Sequence, residues 1–279
     1  MSLIYLPLTT KLTRMNNNLL LAVIASIRAG EAIMEVYSGP FDIELKGDES
    51  PLTEADKKAN DVINSFLLRT DIPIISEENK QLPYEERKDW DLCWIVDPLD
   101  GTKEFIKRNG EFTVNIALVE NGTPIMGVIF VPVSRTLYFN DPQTSQSYRL
   151  VVPEDIQDNF TPDGAEAIKY SPASDKTRVV GSRSHLNQDT QDFIDSLGGT
   201  DQVEIVSKGS SLKFCLVAEG LADVYPRFAP TMEWDTAAGQ SICQAAGVAV
   251  IDKNTNEPLQ YNKPNLLNPY FQVGAPVQE

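Results

Sequence analysis

The chain has 279 residues, a formal net charge of −16 and 42% hydrophobic residues. This composition is typical of a soluble globular protein with one large domain or two fused ones. So acidic a surface argues against nucleic-acid polymers and anionic membranes as general partners, although a local cationic pocket could hold a small phosphate ester. Cys93, Cys215 and Cys243 lie far apart, which excludes a disulfide framework and a clustered zinc site and fits a reducing compartment such as the cytoplasm.

The first predicted element is an amphipathic helix that contains the apolar run at residues 19–27 and ends near Tyr37. A secretory signal peptide is the alternative, since two basic residues precede the run. Nine apolar residues are too few to span a bilayer, and no clear small-residue cleavage site is present. The sequence therefore predicts no integral membrane segment, while peripheral association with an inner membrane stays open. Met15 is an alternative start, which would make residues 1–14 an unstructured extension.

The next elements lead to two acidic segments. After a second helix, a short strand at residues 71–75 runs directly towards Glu77. Residues 81–91 are polar and predict a surface loop. A buried strand over residues 92–96 then ends at the turn Asp97-Pro98-Leu99-Asp100-Gly101-Thr102.

The rest of the chain predicts two different units. Consecutive strand patterns between residues 112 and 139 indicate an antiparallel sheet. Residues 152–176 are polar and contain prolines, and beyond this link strands and helices alternate as in an α/β protein. We therefore expect an N-terminal α+β domain over residues 1–175 and a C-terminal α/β domain over residues 176–279.

The turn after the buried strand is the strongest local signal for chemistry. Pro98 fixes one backbone angle, and Gly101 permits conformations closed to other residues. Such a turn can direct Asp97, the Leu99 carbonyl and Asp100 at one point, and these are the hard oxygen donors that Mg²⁺ takes. The alternative is an ordinary surface turn with an aspartate helix cap.

Three other polar positions could belong to the same site. Thr102 precedes a helix predicted near Lys103, where backbone amides favour phosphate. Glu77, followed by Glu78, stands at the carboxyl end of a strand, where α/β sheets place ligands, and a solvated charge pair at the start of a loop is the alternative. Asp235 stands before an apolar helix, either as a metal ligand or as its N-cap. If these carboxylates meet, they repel one another unless cations neutralise them, which would suit an in-line phosphoryl displacement between metal ions.

The three acidic segments also carry a resemblance. Ser76-Glu77-Glu78, the 97–102 turn and Trp234-Asp235-Thr236-Ala237-Ala238-Gly239 occur in this order over nearly the whole chain. In this the chain resembles the lithium-sensitive, Mg²⁺-dependent phosphatase superfamily of inositol monophosphatase and fructose-1,6-bisphosphatase. Within it the chain is most similar to the CysQ-type 3′(2′),5′-bisphosphate nucleotidases. One reason is Thr102-Lys103-Glu104-Phe105, where inositol phosphatases usually read T-T-N-F; further matching segments are 182–185, 209–215 and 223–228.

The resemblance implies a layered αβαβα sandwich and a site between the two units. It implies two or three Mg²⁺ ions and these metal ligands: Glu77, Asp97, the Leu99 carbonyl, Asp100 and Asp235. It also implies that Asp56 pairs with the hydroxyl of Thr102 to orient the attacking water, and that Glu77 shares in activating that water.

The same resemblance implies the substrate contacts. They are Glu77, Leu99, Asp100, Gly101, Thr102, His185, Ser210, Lys213, Arg227 and Asp235. Lys213 and Arg227 would supply cations for the nucleotide, Arg227 with the fork that suits a phosphate. The residues by themselves leave other interpretations open: solvated surface cations for Lys213 and Arg227, a helix N-cap for Ser210 and a polar loop residue for His185.

The implied activity is removal of the 3′-phosphate of adenosine 3′,5′-bisphosphate (PAP), which yields AMP and phosphate. Similar proteins also accept the sulfated form, PAPS, and serve sulfur assimilation. The alternative within the enzyme class is an inositol monophosphatase or another sugar-phosphate phosphatase. An alternative of a different class is a non-catalytic Mg²⁺- or Ca²⁺-binding module. The sequence leaves a homodimer open.

Overall fold

The computed structural model describes residues 17–41, 43–45, 51–157, 159–172, 175–181 and 187–274; for residues 43–45, 51, 52 and 200 it describes the backbone alone. Within these ranges the helices are α1 (Asn17–Tyr37), α2 (Glu54–Leu67), α3 (Tyr84–Arg87), α4 (Thr102–Ile106), α5 (Gln188–Ser196), α6 (Leu212–Ala218) and α7 (Ala237–Ala245). The strands are β1 (Ile43–Leu45), β2 (Pro51–Thr53), β3 (Ile74–Ser76), β4 (Leu92–Asp100), β5 (Thr113–Glu120), β6 (Thr123–Val131), β7 (Thr136–Asp141), β8 (Gln146–Val151), β9 (Glu166–Ile168), β10 (Thr177–Gly181), β11 (Val203–Ser207), β12 (Val224–Arg227), β13 (Ala249–Asp252) and β14 (Phe271–Gly274).

Two sheets form the frame of the molecule. The larger has seven strands in the order β3-β4-β5-β6-β7-β8-β9, and the smaller has five in the order β11-β10-β12-β14-β13, both counted within the described ranges. From β4 to β9 every neighbouring pair is antiparallel, so the predicted antiparallel sheet is confirmed. In the smaller sheet β10 runs parallel to β11 and β12, whereas β14 is antiparallel to both of its neighbours.

Strand β5 shows why helices cover both faces of the larger sheet. Its side chains alternate between the two faces. Val114, Ile116 and Leu118 pack into one core with helices α1 and α2. Ala117 and Val119 pack into a second core with α6, α7 and strands of the smaller sheet. Both faces of β5 are therefore apolar and buried.

The outer face of the smaller sheet has a core of its own. Ile194 of α5 packs there with Val179, Val203 and Val224. The layers are therefore α1/α2, seven-stranded sheet, α6/α7, five-stranded sheet and α5. This is the predicted αβαβα sandwich. The predicted domain boundary at residue 175 falls between β9 and β10, and it stays a prediction.

The predicted surface loop at residues 81–91 is only partly correct. It contains the short helix α3, and Arg87 at its end is 4% exposed. The Arg87 guanidinium donates to Asn262 Oδ1 (2.7 Å) and to the Lys263 carbonyl (2.8 Å). A polar pattern does not distinguish such a buried arginine from solvated neighbours, because the partners lie about 175 residues away. In the described part of the chain, no helix combines the length and the apolar character that a bilayer crossing requires.

Candidate active site

A bulge in β4 places two aspartates at the end of the larger sheet. Asp97 pairs with Asn115 of β5, and Asp100 pairs with Thr113. Three residue steps on β4 thus lie opposite two on β5, and the extra residue bends the strand. Gly101 follows with a φ of 95°, a left-handed conformation that L side chains rarely adopt. The strand predicted to end at residue 96 therefore continues through the bulge to Asp100, and the turn proper begins only at Gly101. Both carboxylates still lie at one end of β4, as the sequence predicted.

Asp235 joins these two residues from a distant segment of the chain. One carboxylate oxygen each from Asp97, Asp100 and Asp235 lies within 4.8 Å of the others. Asp97 is buried, and the other two are half-buried. Three carboxylates so close together repel one another unless a cation compensates for them. Because all the donors are hard oxygen atoms, the cluster fits a divalent cation of the Mg²⁺ or Ca²⁺ type.

The electrostatics of the cluster agree with this fit. Burial, followed by the charges of Glu77 and Asp100, holds the pKa of Asp97 well above its usual range. Burial and the charge of Asp100 raise the pKa of Asp235 to about 7, although Asp235 Oδ2 accepts a hydrogen bond from the Met232 amide at 2.8 Å. The folded protein thus holds negative charge here at a cost that a bound cation would offset.

Glu77 lies beside the cluster. It follows β3, and its amide donates to the Val96 carbonyl of β4 at 3.1 Å. Glu77 is outside the group of three whose oxygens all lie within 4.8 Å. After burial, its charge is the largest cause of the raised pKa of Asp97. The structure therefore places Glu77 close enough to Asp97 to interact, and its role as a ligand stays a prediction.

Asp56 and Thr102 form a hydrogen-bonded pair next to the turn. Thr102 Oγ1 donates to Asp56 Oδ1 at 3.2 Å, and it lies 3.5 Å from the Leu99 carbonyl. The second carboxylate oxygen, Asp56 Oδ2, accepts from the Thr53 amide (2.7 Å) and the Thr53 hydroxyl (2.6 Å). The bond from the Thr53 amide belongs to the capping box at the start of α2, in which the Thr53 side chain also accepts from the helix backbone. The buried carboxylate is thereby fixed, with one oxygen directed to Thr102.

A cleft of about 600 Å³ opens from the acidic cluster. Asp100, Gly101 and Asp235 are among its lining residues and connect it to the acidic cluster. Among its described lining residues, five are cations: Lys103, Lys107, Lys208, Lys213 and Arg227. In a chain with a net charge of −16, such a concentration of positive charge favours an anionic ligand.

Two buried polar atoms in this cleft have no partner. Among the described residues, Ser210 Oγ and Arg227 Nε find no hydrogen bond. Ser210 also has a φ of 45°, which is uncommon for a residue other than glycine. Lys213 has one partner, since its Nζ donates to the Ser210 carbonyl at 2.6 Å. Burial lowers the pKa of Lys213. Buried donors without partners indicate a ligand that supplies the missing acceptors.

Two alternatives from the sequence are wrong. Ser210 is not a helix cap, because α6 begins at Leu212 and its N-cap, Ser211, makes no side-chain cap bond. Asp235 does not cap α7, because Thr236 occupies that position. Asp235 instead closes a 3₁₀ turn at Glu233–Asp235 through its bond to the Met232 amide. His185, predicted to contact the nucleotide, lies outside the described residues, as does the segment 182–186.

Sequence reasoning missed Ser211 and Asn115. Ser211 Oγ lies 2.7 Å from Asp100 Oδ2, and Asn115 Nδ2 donates to Ser211 Oγ at 2.9 Å. A signal was present, since Thr113 and Asn115 are polar residues two apart in a strand that is otherwise apolar up to its last residue, Glu120. Polar side chains on one face of a buried strand need partners, so this spacing could have indicated the site wall.

Comparisons with known proteins agree with the geometry. The family model described as "Inositol monophosphatase family" matches residues 16–272. The chain is 46% identical over 250 residues to the 3′(2′),5′-bisphosphate nucleotidase CysQ of Escherichia coli O6:H1, which covers 88% of this chain and 94% of that protein. It is 34% identical over 264 residues to the protein of the same name from Haemophilus influenzae, covering 92% and 93%.

A solved structure is also similar. The crystal structure of CysQ from Bacteroides thetaiotaomicron, "a bacterial member of the inositol monophosphatase family", superimposes with a TM-score of 0.85 and 49% sequence identity. The match covers 94% of this chain and 98% of that one. The family match, the identity over most of the chain and the shared fold lead to one conclusion: the chain belongs to the inositol monophosphatase family.

Proposed function

We propose that the chain is a Mg²⁺-dependent 3′(2′),5′-bisphosphate nucleotidase that removes the 3′-phosphate of PAP, and by the same chemistry of PAPS. One observation carries the proposal: a single cleft joins the acidic cluster of Asp97, Asp100 and Asp235 to the partnerless donors of Ser210 and Arg227. A substrate with two phosphates would use both ends. The similarity to proteins named 3′(2′),5′-bisphosphate nucleotidase CysQ supports it.

The acidic end is proposed to bind the scissile phosphate with its cations. Glu77, Asp97, the Leu99 carbonyl, Asp100 and Asp235 would hold two or three Mg²⁺ ions. When bound, Mg²⁺ would neutralise charge on the phosphate and lower the pKa of a nearby water. Gly101 and Thr102, at the start of α4, would contact the phosphate directly.

Asp56 and Thr102 are proposed to orient the attacking water. Because Thr102 Oγ1 gives its proton to Asp56, its lone pairs face outward as acceptors for a water proton. Glu77 would accept the other proton of the water as the oxygen attacks phosphorus in line with the 3′ oxygen. The bond from phosphorus to the 3′ oxygen breaks, and that oxygen takes up a proton from solvent to become a hydroxyl of AMP, while Glu77 returns its proton to solvent. One water is consumed, and one inorganic phosphate is released.

The cationic end is proposed to hold the rest of the nucleotide. Arg227 has the planar donor fork that suits a phosphate, and its Nε is a buried donor without a partner in the described chain. Lys213 and Ser210 would add a charge and a hydroxyl. His185 would contribute a contact from outside the described residues.

The test is phosphate release from PAP, inositol 1-phosphate and a sugar phosphate, measured side by side with and without EDTA. We expect the highest kcat/KM for PAP and loss of activity with EDTA. A clear preference for inositol 1-phosphate would favour the inositol phosphatase alternative. Absence of EDTA-sensitive release from any of the three would favour a cation-binding module. A homodimer and a cytoplasmic location remain predictions, which sedimentation and cell fractionation would test.

A further inference from the structure

A row of buried hydrogen bonds lies behind Asp100. Thr113 Oγ1 donates to Asn115 Oδ1 at 3.0 Å, and Asn115 Nδ2 donates to Ser211 Oγ at 2.9 Å. Ser211 Oγ lies 2.7 Å from Asp100 Oδ2. Thr113, Asn115 and Ser211 are 0%, 1% and 2% exposed, so water does not compete for these bonds. The row joins the body of the larger sheet to a carboxylate of the cluster.

The chemistry of the groups sets the direction of every bond. An ionised carboxylate only accepts, so Ser211 must donate to Asp100. The Asn115 amide nitrogen, which also lies 3.5 Å from Asp100 Oδ2, therefore faces the serine and the carboxylate. Its amide oxygen is left to accept from Thr113. Each member thus donates towards Asp100, and a bond to a charged acceptor is stronger than a neutral one.

Ser211 also connects separate segments. Its Oγ lies 2.9 Å from the Asp235 carbonyl, so one hydroxyl reaches both aspartates of the cleft. The proton can go to one acceptor at a time, and the charged Asp100 is the stronger acceptor. The neighbouring Ser210 packs against the 97–102 turn: a Cβ atom added to Gly101 would lie 3.2 Å from Ser210 Cβ. The loop before α6, the 97–102 turn and the 3₁₀ turn of Asp235 therefore meet at Ser211.

We propose that Ser211 is a positioning residue that fixes the Asp100 carboxylate and the Asp235 turn for cation binding. Ser211 would act through Asp100 and would contact neither the substrate nor the cation. The proposal rests on the proposed function in one respect, that the acidic cluster binds Mg²⁺. Partners of this kind, one bond removed from a metal ligand, orient the ligand, and their loss costs about tenfold to a hundredfold in metal affinity.

The experiment measures Mg²⁺ binding without substrate, from the rise in unfolding temperature of the full chain during a Mg²⁺ titration. Ser211→Ala should bind Mg²⁺ about tenfold to a hundredfold more weakly than the wild type. Ser211→Thr, which keeps the hydroxyl, should recover part of this loss. The matched control is Ser147→Ala, because Ser147 is fully buried and its Oγ donates to the Ile242 carbonyl at 2.6 Å. It should lower the unfolding temperature and leave Mg²⁺ affinity unchanged.

The outcomes separate this proposal from the proposed function. If the wild type binds no Mg²⁺, both are overturned. If the wild type binds Mg²⁺ and Ser211→Ala binds it equally well, or if Ser147→Ala weakens binding as much, only the role of Ser211 is overturned. Should Ser211→Ala fail to fold by circular dichroism, Thr113→Val decides the question. This change removes the donor that is farthest from Asp100 in the row, with little change of shape. It should also weaken Mg²⁺ binding, by a smaller factor than Ser211→Ala.

Discussion

The two ends of the cleft are incomplete in opposite ways. The acidic end lies on a bulged strand, and its carboxylates are so close together that they repel one another without cations. The cationic end stands on the loop before α6 and on β12, and it contains buried donors without partners in the described chain. The first end lacks positive charge, and the second lacks acceptors. A phosphorylated nucleotide arriving with divalent cations would satisfy both, so substitutions at the two ends should have different effects.

The largest effect should come from the acidic end. Asp97→Asn keeps the shape of the side chain and removes a charge, so we expect turnover to fall by about a thousandfold. The metal-free protein should be at least as stable as the wild type, because repulsion within the cluster is relieved. Phosphate release from PAP and thermal unfolding in EDTA measure the two effects.

The control for this change is Asp141→Asn. Asp141 is also buried, but its Oδ1 accepts from the Gln143 amide at 2.8 Å, and it is no member of the acidic cluster. We expect full activity and no gain in stability. If Asp97→Asn unfolded the metal-free protein, the aspartate would be a structural cap and the contrast between the two ends would disappear.

The next effect tests the pair that we propose to orient the water. Thr102→Val removes the hydroxyl that bonds to Asp56, so we expect kcat to fall by about a hundredfold with a much smaller change in KM. Thr102→Ser retains the hydroxyl and should keep most of the activity. Steady-state kinetics on PAP decide the matter. A loss of activity in Thr102→Ser with full activity in Thr102→Val would indicate that the methyl group, rather than the hydroxyl, is important.

The cationic end should show a smaller loss with a different signature. Arg227→Met removes the proposed charge-assisted contact with the nucleotide, worth about 2 kcal/mol, which is roughly thirtyfold in affinity. The loss should appear as a higher KM for PAP, while Mg²⁺ binding without nucleotide is unchanged. The control is Lys253→Met, since Lys253 lies 3.9 Å from the ring centroid of Phe228 and is not among the residues lining the cleft. An unchanged KM in Arg227→Met would contradict the proposal that Arg227 binds the second phosphate of PAP.

The sequence predicted the acidic end better than the cationic one. The β4 turn carries its own evidence, because Pro98 and Gly101 constrain the backbone around two carboxylates within six residues. The residues alone left Asp235 open as a metal ligand or a helix cap, and the pairing of Asp56 with Thr102 came only from the resemblance, since local patterns contain no distances between remote segments. The layered fold was predicted in the same way and is confirmed by the two sheets.

What the sequence could not provide are partners that depend on tertiary packing. Arg87 seemed to lie in a polar loop, yet residues near position 263 bury it. Ser211 resembled any serine before a helix until the structure placed it against Asp100. In both cases the residue type is ordinary, and its role is set by a neighbour about a hundred or more positions away.

The smallest effect is a pH dependence of the metal-free acidic end. The pKa of Asp235 is raised from 3.8 to about 7, and that of Asp97 is raised as well, so between these values the folded chain binds more protons than the unfolded one. Stability rises with pH only where the unfolded state binds more protons, so this contribution falls as the pH rises from about 4 to about 7. In EDTA, the unfolding temperature of the wild type should therefore drop by a few degrees relative to Asp235→Asn over this window. Parallel curves for the two proteins would contradict the prediction, and Mg²⁺ should abolish the difference in slope because the cation replaces the proton as the neutralising charge.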